Sequence, residues 1–358
     1  MNLSDITKIN FGSAGISAVY NGTIKLWPTG TGADNKVMKF TIVSGDTWNN
    51  TRLSAYTADN KYITPVKKDA TGWTYDENVK YLSCNIFGAP ENLLTFEGFA
   101  EAVKIKSGYY LFYDNRKCTD ISTANMDTSE CTDMKSMFSG CLGLTSLDLS
   151  NFNTSQVTNM GDMFSECRLL KTLDVSNFDT SKVTNMNNMF GVCRLLKTLN
   201  VSNFNTSQVT DMSWMFSECR LLKTLDVSNW DTSKVNIMGW MFNYCESLAS
   251  LDLSNFNTSQ VTNMSDMFNE CSKLTSLDLS NFDTLKVTDM TRMFINCRSL
   301  TSLDLSNWDM TNVMSMNWMF SDCSALKTVK MTNCSQETKD KIRAALDAAG
   351  LTSTVITE

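Results

Sequence analysis

The stretch MFSECRLLKTLDVSNFDTSKVTNM, residues 163–186, returns as MFSECRLLKTLDVSNWDTSKVNIM at residues 215–238. Met-Phe pairs recur at a constant interval, from Met137-Phe138 to Met319-Phe320, and a cysteine follows each Phe by three positions. The cysteines of this column are Cys141, Cys167, Cys193, Cys219, Cys245, Cys271, Cys297 and Cys323. Eight copies of constant length indicate a repeat protein in which each unit packs against the next.

Each repeat contains apolar residues that alternate with polar ones, as Leu147 and Leu149 alternate with Asp148 and Ser150. This alternation predicts one short strand per repeat, and stacked repeats would place these strands about 4.8 Å apart in a parallel sheet. The segment MxxMFxxC predicts a helical or 3₁₀ turn, and the segment before it an extended or turn-like return. An asparagine column after the strand is predicted to bond backbone groups at the turn. Its members are Asn151, Asn177, Asn203, Asn229, Asn255, Asn281 and Asn307.

The predicted fold class is a leucine-rich-repeat solenoid with a parallel β-sheet, a small N-terminal β region and a C-terminal capping helix. Residues 1–30 are predicted to form a β module, and residues 31–117 a small β-sandwich-like domain with a transition. The repeats occupy residues 118–334. In residues 335–358, Ser335 is expected to cap an amphipathic helix that ends at Gly350, beside a short strand.

Composition lowers the expectation of catalysis and of several classes of partner. The chain of 358 residues has no histidine and a net charge of −7, with no basic cluster. Without histidine the commonest general base and metal ligand are missing, and without a basic face nucleic-acid binding is not expected. We therefore predict no catalytic residues, no metal and no cofactor. The first residues, MNLSDITKIN, predict no signal peptide, and no apolar run predicts a membrane span.

The pattern MFxxCxxLxxLDLSNFxTSxVTNMxxMF over residues 118–334 resembles the BspA-like leucine-rich-repeat surface proteins, in the 26-residue form found in mycoplasma and lactic acid bacteria. The resemblance implies a solenoid that mediates adhesion or binding rather than catalysis. Members on bacterial surfaces usually carry export and anchoring signals, which the sequence does not indicate here.

A second resemblance lies near the N-terminus. The stretch VYNGTIKLWP, with Tyr20, Gly22, Trp27 and Pro28, is similar to a small N-terminal module of phage virion proteins. That module implies attachment to other virion proteins. The alternative interpretation is an ordinary β-hairpin.

Tryptophans share one repeat position, at Trp214, Trp240 and Trp318. Other repeats carry Asp or Arg there, so the position is expected near the surface, where exposed tryptophan is typical of binding sites. A stacked Trp214/Trp240 pair could hold a sugar ring. The alternative is that these side chains are partly buried and fill gaps at the edge of the core.

An acidic column is predicted on the outward face of the strands. Its members are Asp148, Asp174, Asp226, Asp252, Asp278 and Asp304, with Asn200 in the third repeat. It is interpreted as a solvated face, with a ligand-binding or Ca²⁺-binding surface as the alternative. The cysteine column is interpreted as buried, reduced side chains, since cysteines that are a whole repeat apart lack the short spacing typical of metal sites.

These features predict a non-enzymatic phage virion protein, a fibre, decoration or tail component, made in the host cytoplasm without a signal peptide. The solenoid would bind a host-surface glycan or protein, and the N-terminal region other virion proteins, with a homo-oligomer such as a trimer. The alternatives are a bacterial cell-surface adhesin and a purely structural virion component. No nucleic acid or membrane is an expected partner.

Overall fold

The computed structural model describes residues 103–358, apart from residues 106, 115, 117, 118 and 125, and ten short strands before residue 96. The chain divides into two compact units. The first contains Met1–Val157 and Met163–Phe178, and the second contains Thr158–Asp162 and Asp179–Glu358. In the part of the chain that is described, no helix is long and apolar enough to cross a membrane.

Three separate two-stranded antiparallel sheets belong to the described strands of the first unit. They are β1 (Asn10–Phe11) with β2 (Ala14–Gly15), β3 (Ala18–Tyr20) with β4 (Thr23–Lys25), and β7 (Lys68–Asp69) with β8 (Gly72–Trp73). In each pair the two strands are neighbours in the sequence, which is the arrangement of a β-hairpin. Strands β1 to β4 fall within residues 1–30, where the sequence predicts a β module.

A five-stranded sheet also belongs to the first unit. Its strands are β5 (Arg52–Thr57), β6 (Tyr62–Ile63), β9 (Val79–Asn85), β11 (Val103–Lys104) and β13 (Met126–Asp127), in the spatial order β13-β11-β9-β5-β6. The pairs that β11 makes with β9 and with β13 are parallel, and β10 (Leu93–Thr95) pairs in parallel with β12 (Asp120–Ser122). Residues 108–114 already donate backbone hydrogen bonds to residues 133–139. Parallel stacking therefore begins before residue 118.

The second unit contains a parallel sheet of four strands. They are β14 (Ser276–Asp278), β15 (Ser302–Asp304), β16 (Thr328–Lys330) and β17 (Val355–Thr357), which pair in that order. Leu277 pairs with Leu303, and Leu303 with Val329, so these repeats are in register. The predicted parallel sheet is confirmed here.

In the five repeats between β12 and β14 the predicted strand segment is not a regular strand, which is a difference from the sequence-based expectation. The parallel contact runs instead through the return segment, at the bridges Asn159–Asn185–Asp211–Ile237–Asn263–Asp289–Ser315. The asparagine column explains part of the difference, because Asn177 Nδ2 donates to the carbonyl oxygens of Leu149 and Phe152 at 3.0 and 2.9 Å. A side chain that takes these carbonyls competes with a regular ladder. The predicted role of the asparagine column is confirmed at Asn151, Asn177 and Asn281.

Most backbone hydrogen bonds between repeats in the segment MxxMFxxC run forward along the chain. The N–H groups of Met186, Asn188, Phe190 and Val192 donate to carbonyls of the next repeat, at 2.7 to 3.1 Å. The same four positions donate in the repeats that start at residues 212, 238, 264 and 290. Each of these repeats therefore donates four N–H groups forward, whereas the N–H at the start of the segment donates backward, as Thr210 does to the Thr184 carbonyl at 2.9 Å.

The segment MxxMFxxC forms successive turns rather than a helix. In one repeat, Met189 donates to the Met186 carbonyl and Cys193 to the Phe190 carbonyl, at 3.3 and 3.2 Å. The third residue of each turn, Asn188 or Val192, has a positive φ, of 53° and 62°. A positive φ at this position is typical of type II turns and interrupts any helical continuation.

The core consists of columns of identical side chains. In the second unit, phenylalanine rings from Phe190 to Phe320 stack at centroid distances of 5.7 to 5.8 Å. The cysteines of the column are buried, and none of these described side chains forms a disulfide, which confirms the interpretation as core side chains. Cys219 Sγ donates to the Phe190 carbonyl at 3.2 Å, and burial raises the pKa of this thiol well above its usual range.

Buried threonines bond one repeat to the next. The hydroxyl of Thr232, which is fully buried, donates to the Asn257 carbonyl at 2.9 Å and accepts from the Asn257 N–H at 2.8 Å. Thr180 and Thr284 make the same pair of bonds to Asn205 and Asp309. These hydroxyls satisfy backbone groups that the chain would otherwise bury unpaired.

The predicted C-terminal helix is present as α1 (Gln336–Ala348). Ser335 caps its first turn by accepting from the Thr338 N–H. Its end is a Schellman motif, in which Leu351 donates to the Leu346 carbonyl and Gly350, at φ 76°, donates to the Asp347 carbonyl. The helix contacts the last repeats through Met310, whose N–H donates to Thr338 Oγ1 at 3.2 Å.

Removal of one buried hydroxyl is expected to destabilise the repeats measurably. Thr232→Val keeps the side-chain shape but leaves both backbone groups of Asn257 unpaired, which costs about 2 kcal/mol. Urea denaturation followed by circular dichroism measures the change. Thr210→Val is the matched control, because the exposed Thr210 hydroxyl only donates to the Thr184 carbonyl at 3.2 Å. Equal effects of the two substitutions would contradict this role for the buried threonines.

Candidate functional site

The tryptophan column occupies a turn position with a left-handed backbone. Its eight members have φ values between 53° and 61°. In chain order they are Ser136, Asp162, Asn188, Trp214, Trp240, Asp266, Arg292 and Trp318. All lie at the third residue of the first turn in MxxMFxxC, so their side chains leave the repeat at equivalent points.

The structure brings Trp214 and Trp240 together, as the sequence predicts. Their rings are stacked, with centroids 4.8 Å apart and an interplanar angle of 6°. Trp214 is 40% exposed and Trp240 is half-buried, whereas Trp318 is 64% exposed. The pair therefore presents an aromatic surface to solvent.

Polar pairs stand on both sides of the stacked rings in the same column. On one side, Asn188 Nδ2 donates to Asp162 Oδ1 at 2.7 Å. On the other side, Arg292 Nε lies 3.2 Å from Oδ1 of the buried Asp266. Burial raises the pKa of Asp266 above its ordinary value, against the opposing effect of Arg292, and its Oδ2 has no hydrogen-bond partner among the described residues. Hydrogen-bonding groups thus flank an aromatic pair.

The backbone at these tryptophans is strained. A bulky residue with positive φ is uncommon, and Asn, Asp or Gly occupies such positions at lower cost. Asp162, Asn188 and Asp266 follow that preference in other repeats. The strain follows from the turn itself, since Arg292 in the same column and Val192 in the second turn also have positive φ. Trp230 and Trp308, in contrast, are buried in the core and donate to backbone carbonyls.

The aspartate column has a structural role that the sequence-based interpretation missed. Oδ1 of each aspartate accepts the N–H of the residue two positions later, for example Ser150 for Asp148 at 2.9 Å. The same bond occurs at Asp174, Asp226, Asp252, Asp278 and Asp304. These Asx turns direct the chain out of the strand segment. Lys330 Nζ pairs with Asp304 Oδ2 at 3.0 Å, and no ion pair or hydrogen bond among the described side chains joins this column to the tryptophans.

Asp or Asn at two further positions of the repeat also makes an Asx turn, so many repeats contain three Asx turns. In one repeat, Oδ1 of Asp179 accepts the Ser181 N–H at 2.9 Å, and Oδ1 of Asn185 accepts the Asn187 N–H at 2.8 Å. The signal was present in the sequence as Asp or Asn at three fixed positions of the repeat. Ile237 interrupts the third column and is an exposed apolar residue.

The remaining predicted residues contribute no further described site. Tyr20 ends strand β3, and Gly22, Trp27 and Pro28 lie outside the described residues. Cys84 lies in strand β9 with no described side chain, and Cys118 is outside the described residues. Among the residues that are described, no group of three His, Cys, Asp or Glu side chains could hold a metal ion.

The described residues define a repeat protein built by parallel pairing of units of equal length, with few helices. The chain belongs to the family described as "Mycoplasma protein of unknown function, DUF285", which matches residues 106–224 and 210–334. This match agrees with the resemblance of the repeats to the BspA-like family.

The search of solved structures finds a leucine-rich-repeat protein of Leptospira interrogans. The identity is 12% and the TM-score is 0.23, over 76% of this chain and 93% of that chain. A search of curated proteins finds no match.

The strain at the tryptophan column is testable at its most exposed member. Trp318→Asn is expected to raise stability by about 1 kcal/mol, because Asn adopts a positive φ more easily and little apolar burial is lost. The measurement is the free energy of unfolding in urea. Met314→Asn is the matched control, because Met314 is an exposed apolar residue of the same repeat whose φ is not positive. It should not gain stability, and a marked loss of stability in Trp318→Asn would contradict the interpretation.

The Asx turns predict sensitivity to acid. The N–H and hydroxyl of the serine two residues later lower the pKa of Asp148 and Asp252, and the hydroxyl and N–H of Ser228 lower the pKa of Asp226. A carboxyl group whose pKa is lower in the folded than in the unfolded protein stabilises the fold fully when the pH is above its unfolded-state pKa. This contribution is lost as the pH falls through its folded-state pKa.

A triple variant, Asp148→Asn, Asp226→Asn and Asp252→Asn, is therefore expected to lose less thermal stability on acidification than the parent. Asn200 shows that an amide makes the same turn, since its Oδ1 accepts the Ser202 N–H at 3.1 Å. The measurement is the melting temperature as a function of pH. Parallel pH profiles for parent and variant would refute the assignment.

Proposed function

We propose that the repeats form a leucine-rich-repeat solenoid with α1 as its C-terminal cap. We further propose that the protein is a non-enzymatic binding component of a phage virion, which recognises a host-surface glycan through Trp214 and Trp240. The observation that carries this proposal is the stacked, partly exposed tryptophan pair at left-handed turn positions.

The geometry of the column fits a sugar better than a purely apolar ligand. Apolar C–H faces of a pyranose can pack on an indole surface, and the hydroxyl groups at the ring edge need polar partners. Adjacent repeats lie about 4.8 Å apart, so Asn188 and Asp266 are each about one such step from the aromatic pair. Both carry hydrogen-bonding atoms, and Arg292 adds a positive charge beside Asp266.

The virion setting rests on the resemblance of residues 19–28 to phage virion proteins. In this proposal the N-terminal region attaches the protein to other virion proteins, and a homo-oligomer such as a trimer presents several tryptophan pairs to the host surface. Several weak sites on one particle would raise the overall affinity.

The second candidate is a bacterial cell-surface adhesin, which is favoured by the resemblance of the repeats to the BspA-like surface proteins. It would use the same tryptophan pair. A third candidate, a purely structural virion component, predicts no glycan binding at all.

The test is binding of the full-length protein to a glycan array and to envelope fractions of candidate hosts. The double variant Trp214→Ala/Trp240→Ala is expected to lose at least about tenfold in affinity, equivalent to about 1.4 kcal/mol. Trp318→Ala is the matched control, because Trp318 occupies the same column without a stacked partner among the described residues. It should retain the parent affinity.

Three other outcomes separate the alternatives. An equal loss of affinity in Trp318→Ala would mean that the binding site is not the stacked pair. Binding to mycoplasma or other bacterial partners without incorporation into particles would favour the adhesin. Absence of binding in the parent would overturn the proposal and favour a structural role.

A further inference from the structure

In the last repeat of the ladder, at residues 313–322, apolar side chains are exposed whose equivalents in the preceding repeats are buried. Its Val313 and Met316 are half-buried, whereas the equivalent valines and methionines of the preceding repeats are fully buried. Met314 is 84% exposed, and Trp318 is also exposed. An apolar strip therefore remains open at this end of the second unit.

The backbone of the same segment has donors without acceptors. In each of the five preceding repeats, the four forward N–H groups bond to the next repeat. The equivalent N–H groups here belong to Met316, Trp318, Phe320 and Asp322, and none has an acceptor in the part of the chain that is described. Four N–H groups at alternate residues therefore form an open edge, which is a template for pairing with another segment.

This edge offers four donors and one acceptor, the Met314 carbonyl, whose equivalent at Thr288 accepts from the Met314 N–H of the next repeat. The carbonyls of Met316, Trp318 and Phe320 already accept from Met319, Ser321 and Cys323 in the turns of the same repeat. Two such edges would pair poorly with each other, because one acceptor on each cannot satisfy the four donors of the other. A partner must present carbonyl groups at alternate residues, as the N-terminal side of a repeat does.

The C-terminal elements continue the ladder beside this edge without covering it. Strand β17 pairs with β16 at residues 328–330, and α1 contacts Met310. Neither supplies a hydrogen-bond acceptor to the described N–H groups of residues 316–322. The forward backbone hydrogen bonds of this segment therefore end here, although residues 316–322 carry the same donors and apolar side chains as the preceding repeats.

We propose that residues 313–322 form an association edge for a second copy of this chain, stacked head to tail. A second copy is the proposed partner because the interface would continue the one that joins neighbouring repeats inside the chain. The N-terminal side of a repeat offers carbonyls in the matching register and apolar side chains that can cover Val313 and Met316. Such a contact is heterologous, so it produces rings or open chains and not a twofold dimer. The proposal does not depend on glycan recognition.

Hydrogen exchange of the full-length protein, resolved to single amides by NMR or electron-transfer fragmentation, tests the edge directly. At low concentration the amides of Met316, Trp318 and Asp322 should exchange fast, and at high concentration their exchange should slow by about tenfold or more as subunits associate. Sedimentation velocity at the same concentrations should show species that grow beyond a dimer.

The double variant Met314→Lys/Trp318→Lys places charges on the edge and should abolish both the protection and the larger species. Ile237→Lys is the matched control, since Ile237 is an exposed apolar residue of the same ladder away from its end. It should associate as the parent does. Thermal melting verifies that both variants are folded.

Three results would overturn the proposal. A protein that stays monomeric at every concentration would exclude the association. Protected edge amides in the monomer would mean that another segment of the same chain covers the edge. Association that stops at a dimer, or that Ile237→Lys removes while the edge variant retains it, would place the contact elsewhere.

Discussion

Register between neighbouring repeats is the constraint on which the rest of the second unit depends. Four backbone N–H groups of one repeat meet four carbonyls of the next, always at the same separation along the sequence. A single inserted residue would move every donor after it away from its acceptor. Constant repeat length, stacked phenylalanines and buried threonine hydroxyls are consequences of this register, because each identical side chain meets its own copy in the adjacent repeat.

Direction follows from the same hydrogen bonds. Since a repeat donates four N–H groups forward in this segment and one backward, as Thr210 does to Thr184, the stack has chemically different ends, unlike a sheet edge that offers donors and acceptors alternately. Because the repeats have similar sequences, the sequence alone does not show that the two ends of the stack differ. Val313 and Met316 occupy the same positions as fully buried residues, and only their place at the end of the ladder exposes them.

Much of the core could be predicted from the sequence, because burial imposes apolar residues at fixed positions. The asparagine column, the buried cysteines and the helix beginning after Ser335 were predicted correctly. The strand segment was predicted in every repeat but is regular only at Asp120–Ser122 and from Ser276 onward, because local side-chain bonds compete with the ladder in the repeats between them. The roles of Asp148 and Thr232 were missed, since a polar residue in a pattern looks alike whether it faces solvent or bonds a backbone group.

The tryptophan column indicates how such a scaffold can acquire an exposed aromatic surface. Asp and Asn tolerate a left-handed backbone, so Asp162 and Asn188 were the sequence signal that this position has positive φ. The turn lies outside the packed columns, and a substitution there changes local strain without disturbing the register. Trp214 and Trp240 recover part of that strain by stacking on each other, which is worth about 0.5–1.5 kcal/mol. Adjacent repeats can therefore present a paired aromatic surface that a single repeat could not hold at the same cost.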